Sequence, residues 1–467
     1  MSELIEEKKG FDTKMPYIFM IATICQAIGN NIAGSYINFY ATERMMISTT
    51  MTAAALSVAR FGDLLLSLVS GVIVQKIQLK RGQYRSWLLY GPFMVSFGTT
   101  LLFINFPIPE FGKYVQIFIG YMFYGGAMSF MQVSSNSMIR KIAGADTDAR
   151  MSITAKNIQG QNLSRFLTSL TVINVILFFE GRGMDGYTTT QLLCITIGIL
   201  GYTQLYRSTG QYEQYDPNFK SSGAGSVKIS TMVASTLKNP QLIFLMIGDT
   251  CRATVMTTLS GIAMYVFTYV AGRPAMMAQY LSISAILAVA SSFLLAPIAR
   301  KMGKRNSGRL TAVMCIISYS CLGLFTGTNP WIYIVFFSIA SASITFISTV
   351  AATLYMDCGE YQLHETGVDN RTFTMSMFGV TTKLGFFFSS VIVSWLLNSG
   401  GYSAVERVIA NPETFTRLIG FTAASFYVVY AIIMFFFYKI SDEKAKEYAA
   451  ENIEMLQKRE AEQKANA

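Results

Sequence analysis

Residues 71–85 read GVIVQKIQLKRGQYR, and residues 299–305 read ARKMGKR. Each is a short basic turn with a central glycine, Gly82 in one and Gly303 in the other, set between two long apolar runs. Glycine lets the chain reverse within a few residues. Lysine and arginine beside it can bond the last carbonyls of the preceding helix. The two copies follow the second and the eighth apolar run, so the chain reads as an internal repeat of two halves.

Working outward from these turns, runs of about 20 apolar residues, enough to cross ~30 Å of hydrocarbon, recur along the whole chain. They fall at 16–41, 49–75, 86–106, 113–139, 151–179, 188–206, 241–270, 276–299, 308–326, 331–356, 371–398 and 414–438. Six precede a hydrophilic stretch at 207–240 and six follow it. That stretch is rich in Gly, Ser and Tyr, has no room for a domain, and reads as a cytoplasmic linker. The expectation is an all-α polytopic membrane protein. An N-terminal six-helix bundle over 1–206 and a C-terminal one over 241–438 are joined by the linker 207–240 and followed by a cytoplasmic tail, 439–467.

Composition agrees. Of 467 residues, 52% are hydrophobic and only 14% charged, against roughly a quarter charged in soluble domains. The formal charge of +10 could point to nucleic acid, but the basic residues sit in short loops between apolar runs. With the N-terminus inside, 26 of the 37 Lys and Arg lie in cytoplasmic segments, six lie opposite and five lie inside spans. That bias places both termini in the cytoplasm, which requires an even number of spans. The six cysteines, Cys25, Cys194, Cys251, Cys315, Cys321 and Cys358, are dispersed without any CxxC, and His364 is the single histidine. They read as small buried hydrophobes, with no metal site or disulfide framework implied. The N-terminal MSELIEEKKGFDTK lacks the apolar core of a signal peptide. The tail SDEKAKEYAAENIEMLQKREAEQKANA alternates charge and reads as a solvated helix or a disordered segment.

Charges inside the spans carry the functional information, because burying one without a partner is costly. Asp249 and Arg252, three residues apart, are expected to pair with each other. Lys156 and Arg165 lie in the fifth span amid Asn157, Gln159, Gln161 and Asn162, a polar run expected to line a cavity. Gln26, Asn30, Asn31 and Asn38 of the first span and Gln132, Ser135 and Asn136 of the fourth add amides, which both donate and accept and so suit hydroxyl recognition. The same amides also suit interhelical bonding. Arg60, Asp63 and Ser67, at offsets of three and four, share one helix face.

The residues Asp357-Cys-Gly-Glu360-Tyr361-Gln-Leu-His364, with Arg371, Ser376 and Lys383-Leu-Gly385 beyond them, resemble the tenth-to-eleventh helix region of the glycoside–pentoside–hexuronide:cation symporters, the melibiose permease group. Leu259-Ser-Gly-Ile-Ala-Met-Tyr265-Val-Phe-Thr-Tyr269-Val-Ala-Gly272 resembles their seventh helix. Ala59-Arg60-Phe-Gly-Asp63, followed by Arg81-Gly82-Gln-Tyr84-Arg85-Ser-Trp87, resembles their second. The likeness covers essentially the whole transport region. It implies the major facilitator fold, with 12 transmembrane helices in two six-helix bundles around a midplane cavity, in a bacterial cytoplasmic membrane.

The resemblance also implies site residues. The family's second-helix motif carries an arginine and two carboxylates; here Arg60, Asp63 and Ser67 stand there, so one carboxylate is lost. The family's first-helix aspartate falls on Gln26 and its fourth-helix aspartate near Ala127, so melibiose itself is not the expected solute. Cation coupling is assigned to Asp63, Ser67, Arg60 and Lys383. Solute contact is assigned to Gln26, Asn30, Lys156, Asn157, Gln132 and Lys383, and a cytoplasmic gate to Asp357, Glu360 and Arg371. For Asp63 a structural pair with Arg60 or Lys383 stays open.

No nucleophile–base arrangement, phosphate-cradling loop or metal signature stands out, so an enzyme is not expected. Without a nucleotide-binding motif, transport must draw on a gradient. The expected function is cation-coupled uptake of a sugar, glycoside or uronide by a monomeric carrier in contact with lipid and not with nucleic acid. H+ is expected over Na+, because Ser67 removes a carboxylate from the site, and no cofactor is implied. The alternatives are a carrier of a non-sugar, anionic solute and a facilitator without coupling.

Overall fold

The computed structural model describes residues 12–143, 147–213, 215, 238–325, 329–367, 371–403, 406 and 408–465. These form thirteen α-helices and one small hairpin. In chain order the first six are α1 (Met15–Glu43), α2 (Thr49–Lys76), α3 (Arg85–Leu102), α4 (Glu110–Ala143), α5 (Thr147–Glu180) and α6 (Gly186–Ser208). Then come α7 (Pro240–Tyr265), which continues into a π-helical turn Val266–Val270, α8 (Met276–Met302), α9 (Lys304–Phe325), α10 (Pro330–Thr366) and α11 (Arg371–Ser399). The antiparallel strands β1 (Tyr402–Ser403) and β2 (Val408–Ile409) precede α12 (Pro412–Ile432), which also ends in a π turn, Ile433–Phe437. The tail helix is α13 (Asp442–Ala465).

α1 to α12 coincide with the twelve apolar runs. Seven of the described helices are long and apolar enough to cross a membrane by composition alone. The polar side chains that the remainder carry must therefore be met by protein or water rather than lipid. Several starts are written locally. α7, α10 and α12 each begin Asn-Pro, at Asn239-Pro240, Asn329-Pro330 and Asn411-Pro412. Proline suits the first helical position because that N–H has no intrahelical partner. Asn239 Oδ1 accepts from Leu242 N at 3.0 Å, and Asn329 Oδ1 from Trp331 N at 3.0 Å. Gly367, in the left-handed region at φ 66°, ends α10.

The chain divides into two compact units. One comprises Met1–Met45 with Gly62–Ala224, the other Met46–Phe61 with Gly225–Ala467. Their internal pairings repeat. In the first unit α1 packs on α5 and α6, and α3 on α4 and α6; in the second α7 packs on α11 and α12, and α9 on α10 and α12.

The glycine turns repeat too, with a device the sequence did not reveal. Gly82 takes φ 107° and Gly303 φ 84°, values that favour a residue without a Cβ. Beside Gly82, the Glu213 carboxylate accepts from the backbone N–H of Tyr84 (2.9 Å) and Arg85 (2.7 Å) at the start of α3, and from Lys141 Nζ (2.6 Å). Beside Gly303, Asp442 accepts from Lys304 N (2.9 Å) at the start of α9. In each unit an acid following the sixth helix caps the N-terminus of the third, where the helix dipole favours negative charge.

The tail helix is docked rather than solvated on every side. Asn452 Nδ2 donates to the Glu360 carbonyl at 3.0 Å and carboxylate at 2.7 Å. Glu451 lies 2.7 Å from His364 Nε2, and the His364 ring stands 4.7 Å from that of Tyr448. Of the linker 207–240, residues 214 and 216–237 lie outside the described residues.

Candidate functional site

Asp63 sits near the middle of α2 and is 5% exposed. Its carboxylate rests on Gly125 of α4, close enough that a Cβ there would stand 2.5 Å from Asp63 Cγ and 2.7 Å from Oδ1. Ser67, one turn on, donates its hydroxyl to the Leu64 carbonyl of its own helix at 2.7 Å. Arg60, one turn earlier, is 4% exposed. Its Nη1 donates to Phe386 O (2.5 Å), Ser390 Oγ (2.6 Å) and Ser389 Oγ (3.3 Å), a carbonyl and two hydroxyls of α11. The three α2 residues thus have distinct surroundings. Arg60 binds α11 within the second unit, Asp63 packs on α4 in the first, and Ser67 bonds its own backbone. Lys383 is half-buried on α11.

The predicted solute residues of the first unit form a polar line on α1 facing α4 and α5. Gln26 Nε2 lies 3.5 Å from Asn30 Oδ1, Asn30 Nδ2 lies 3.4 Å from Met128 Sδ, and Asn31 Nδ2 donates to Thr168 Oγ1 at 3.3 Å. Thr23 bonds Asn157. Gln26 and Asn30 thus meet each other, and Asn157 reaches the same helix at Thr23, one turn before Gln26. Gln132, exposed on α4, donates to Asn136 at 3.2 Å and joins no α1 residue by a described bond. Lys156 donates to Gln159 Oε1 at 3.0 Å and lies 4.9 Å from the Tyr17 ring centroid, toward the start of α1. Ala127, aligned above with a family carboxylate, packs with Val95 and Met131 in an apolar cluster. It faces α3, and Met128 is the α4 residue that meets Asn30.

Two pairs of opposite charges close on one another in the second unit. Arg252 Nε donates to Asp249 Oδ1 at 2.6 Å, the pair expected from their spacing. The structure adds partners from two other helices. Thr381 Oγ1 of α11 donates to Asp249 Oδ2 at 2.9 Å, and the Tyr355 hydroxyl of α10 lies 3.4 Å from it. Near the end of α10, Asp357 pairs with Lys304 of α9 at 2.7 Å. Burial raises the Asp357 carboxyl above its ordinary value, and Lys304 pulls it back down. Glu360 is bonded by Asn452 of the tail. The expected gate set thus finds Lys304 and Asn452 as partners, while the Arg371 side chain lies outside the described residues. Among the described residues, no cluster of three or more His, Cys, Asp or Glu could hold a metal ion.

A family model described as "MFS/sugar transport protein" matches residues 18–442. The chain belongs to this family. The glucuronide carrier protein homolog of Escherichia coli K12 is 22% identical over 449 residues, covering 91% of this chain and 93% of that one. A putative 2,3-dihydroxypropane-1-sulfonate exporter of Salmonella typhimurium LT2 is 22% identical over 439 residues, covering 92% and 94%. In three dimensions the chain resembles the nucleoside transporter NupG, with a TM-score of 0.64 and 10% identity over 90% of this chain and 99% of that one. This MFS/sugar transport family member is a secondary transporter, a polytopic helical membrane protein and not an enzyme.

Proposed function

We propose that the chain couples a proton to the uptake of a sugar, glycoside or uronide by alternating access, with Asp63 as the proton-carrying group. The observation that carries the reading is the Asp63 carboxylate, buried in mid-span against the bare backbone of Gly125. A proton bound there removes the cost of a buried charge, so such a group can carry one across. Ser67, bonded to its own helix, adds no second negative ligand. A single carboxylate supports a proton over a sodium ion, which needs several oxygen ligands. The solute is met by Gln26, Asn30 and Asn157 on α1 and α5, with Lys156, Gln132 and Lys383 as further contacts. Asp357, Glu360 and Arg371 serve the cytoplasmic gate of a monomeric carrier in a bacterial cytoplasmic membrane, both termini inside. A second reading, an anionic non-sugar solute, is favoured by Lys156 and Arg165 within α5 and by the sulfonate named for the Salmonella relative.

The test is solute-driven proton movement into proteoliposomes loaded with a pH-sensitive dye, with a panel of glycosides, pentoses, uronides and organic acids. Internal acidification on solute addition, indifferent to sodium and lost in Asp63→Asn, supports the reading. Sodium-dependent uptake without proton movement overturns the coupling assignment.

A further inference from the structure

We propose that Arg305 and Arg309 of α9 bind the phosphate of an anionic phospholipid whose acyl chains lie along the apolar face of the same helix. The inference needs only the membrane protein established above and is independent of the solute carried. Positions 305, 309, 313 and 317 follow one another at intervals of four, so they form a single row on α9. The first two are arginines. Val313 and Ile317, next in the row, are 41% and 58% exposed, an apolar strip open to the bilayer. At ~1.5 Å per residue the row spans roughly 18 Å, about the depth of a headgroup and one leaflet. Phe435 and Phe436, in the π turn that ends α12, are exposed too and widen the apolar surface beside Arg309.

Among the described residues no ion pair engages either arginine. Arg305 is half-buried, and its Nε is enclosed without a hydrogen-bond partner. The charge acting on it from Arg309 is a like one. Arg309 meets neutral groups, Met434 O at 3.1 Å, Phe435 O at 3.3 Å and Asn306 Oδ1 at 3.1 Å, with the Phe435 ring centroid 5.1 Å away. Two acids of this corner are already engaged. Asp357 pairs with Lys304, and Asp442 accepts from Lys304 N. Nor does the pair belong to the turn that both units share. The second and sixth residues after Gly303 are Arg305 and Arg309, but after Gly82 they are Tyr84 and Leu88. Leu88 is fully buried. The two cations are therefore an addition to the second unit. A phosphodiester offers acceptors to both guanidinium forks and removes the cost of leaving them uncompensated. Inorganic phosphate would meet the arginines and leave the strip below them bare, whereas a lipid covers both. The Asp442 contact sets α13 beside this corner, so the lipid comes from the leaflet on the tail's side.

The experiment uses the full-length wild type, Arg305→Gln and Arg309→Gln. Arg417→Gln, at an arginine exposed on α12, is the matched loss of charge. Each protein is stripped of lipid in detergent and titrated with phosphatidylglycerol, with phosphatidylcholine and with sodium phosphate. Bound lipid is counted by native mass spectrometry, and the thermal midpoint is read beside it. The wild type should retain phosphatidylglycerol over phosphatidylcholine and be stabilised by it, with phosphate ineffective at the same concentration. Arg305→Gln gives up no described bond within the protein, so its lipid-free midpoint should stay near wild type. Its affinity for phosphatidylglycerol should fall roughly 10-fold, the size of one lost charge-assisted bond. Arg309→Gln should weaken the lipid as well, and because it also loses its bonds to α12, Arg305→Gln decides. The proposal is overturned if phosphatidylcholine binds as tightly, or if phosphate stabilises as well as phosphatidylglycerol. It is equally overturned if Arg305→Gln leaves the affinity unchanged, or if Arg417→Gln lowers it as much.

Discussion

Replacing Gly125 with alanine puts a methyl group where the Asp63 carboxylate now rests. The added Cβ would lie 2.5, 2.7 and 2.9 Å from Asp63 Cγ, Oδ1 and Oδ2. Ordinary contacts between such atoms begin near ~3.5 Å, so the carboxylate must retreat by about 1 Å. The group that yields is the end of a side chain and not backbone, so the stability lost should sit at the low end of the usual overpacking range, about 1 kcal/mol. Function is less forgiving. A reacting group misplaced by about 1 Å can cost on the order of 100-fold in rate, so proton movement should collapse while folding survives. The assay is the initial rate of solute-driven proton uptake in proteoliposomes, beside the thermal midpoint of the same preparation. Gly34→Ala is the control, because a Cβ there meets nothing within 4 Å. If Gly125→Ala moves protons at the wild-type rate, the position of Asp63 does not govern coupling, and another group must carry the proton.

Asp249→Asn should cost about 3–5 kcal/mol by taking a carboxylate charge away from the buried Arg252, whereas Asp249→Leu/Arg252→Met should lose less than that single change; thermal unfolding compares the two. Gly303→Ala should cost about 1–2 kcal/mol through its φ of 84° and a Cβ 2.2 Å from Asp442 Oδ2, and an unchanged midpoint would refute the turn-and-cap account. Ser67→Asp restores a second carboxylate on the Asp63 face, and sodium should then stimulate uptake measurably in a sodium-titrated assay. Asn452→Ala removes two bonds to Glu360, so the thermal midpoint should drop by the equivalent of about 1–2 kcal/mol.

The helices were legible because bilayer thickness fixes their length, and most sequence runs fall inside the observed elements, although the run at 86–106 passes the end of α3 at Leu102. The ends were less legible. α10 runs to Thr366, ten residues beyond its apolar run at 331–356, because polar residues continue a helix once it leaves the hydrocarbon. The Asp249–Arg252 pair could be read from a spacing of three. Its partners Thr381 and Tyr355 could not, since they arrive from helices more than 100 residues away. Glu213 and Asp442 were invisible as caps for the same reason, although the glycine turns they serve were the clearest repeat in the chain. The spacing of Arg60, Asp63 and Ser67 put them on one face correctly. Spacing could not show that Arg60 would bond α11 while Asp63 packs on a glycine of α4.

The repeat makes the two units comparable, and what they do with charge separates them. In the second unit Asp249 and Arg252, and Lys304 and Asp357, close upon one another. Each pair spends its attraction within the protein, so it holds helices in register and has little left for a ligand. In the first unit Glu213 is likewise closed, by two backbone amides and Lys141, but only at the helix ends. Inside its spans Lys156 has neutral partners and Arg165 has none among the described residues. Open charge at mid-span persists only where water or cargo completes it. These closed pairs thus serve as framework, and the charges proposed for cargo and coupling are others, Lys156 and Asp63 in the first unit and Arg60 and Lys383 in the second.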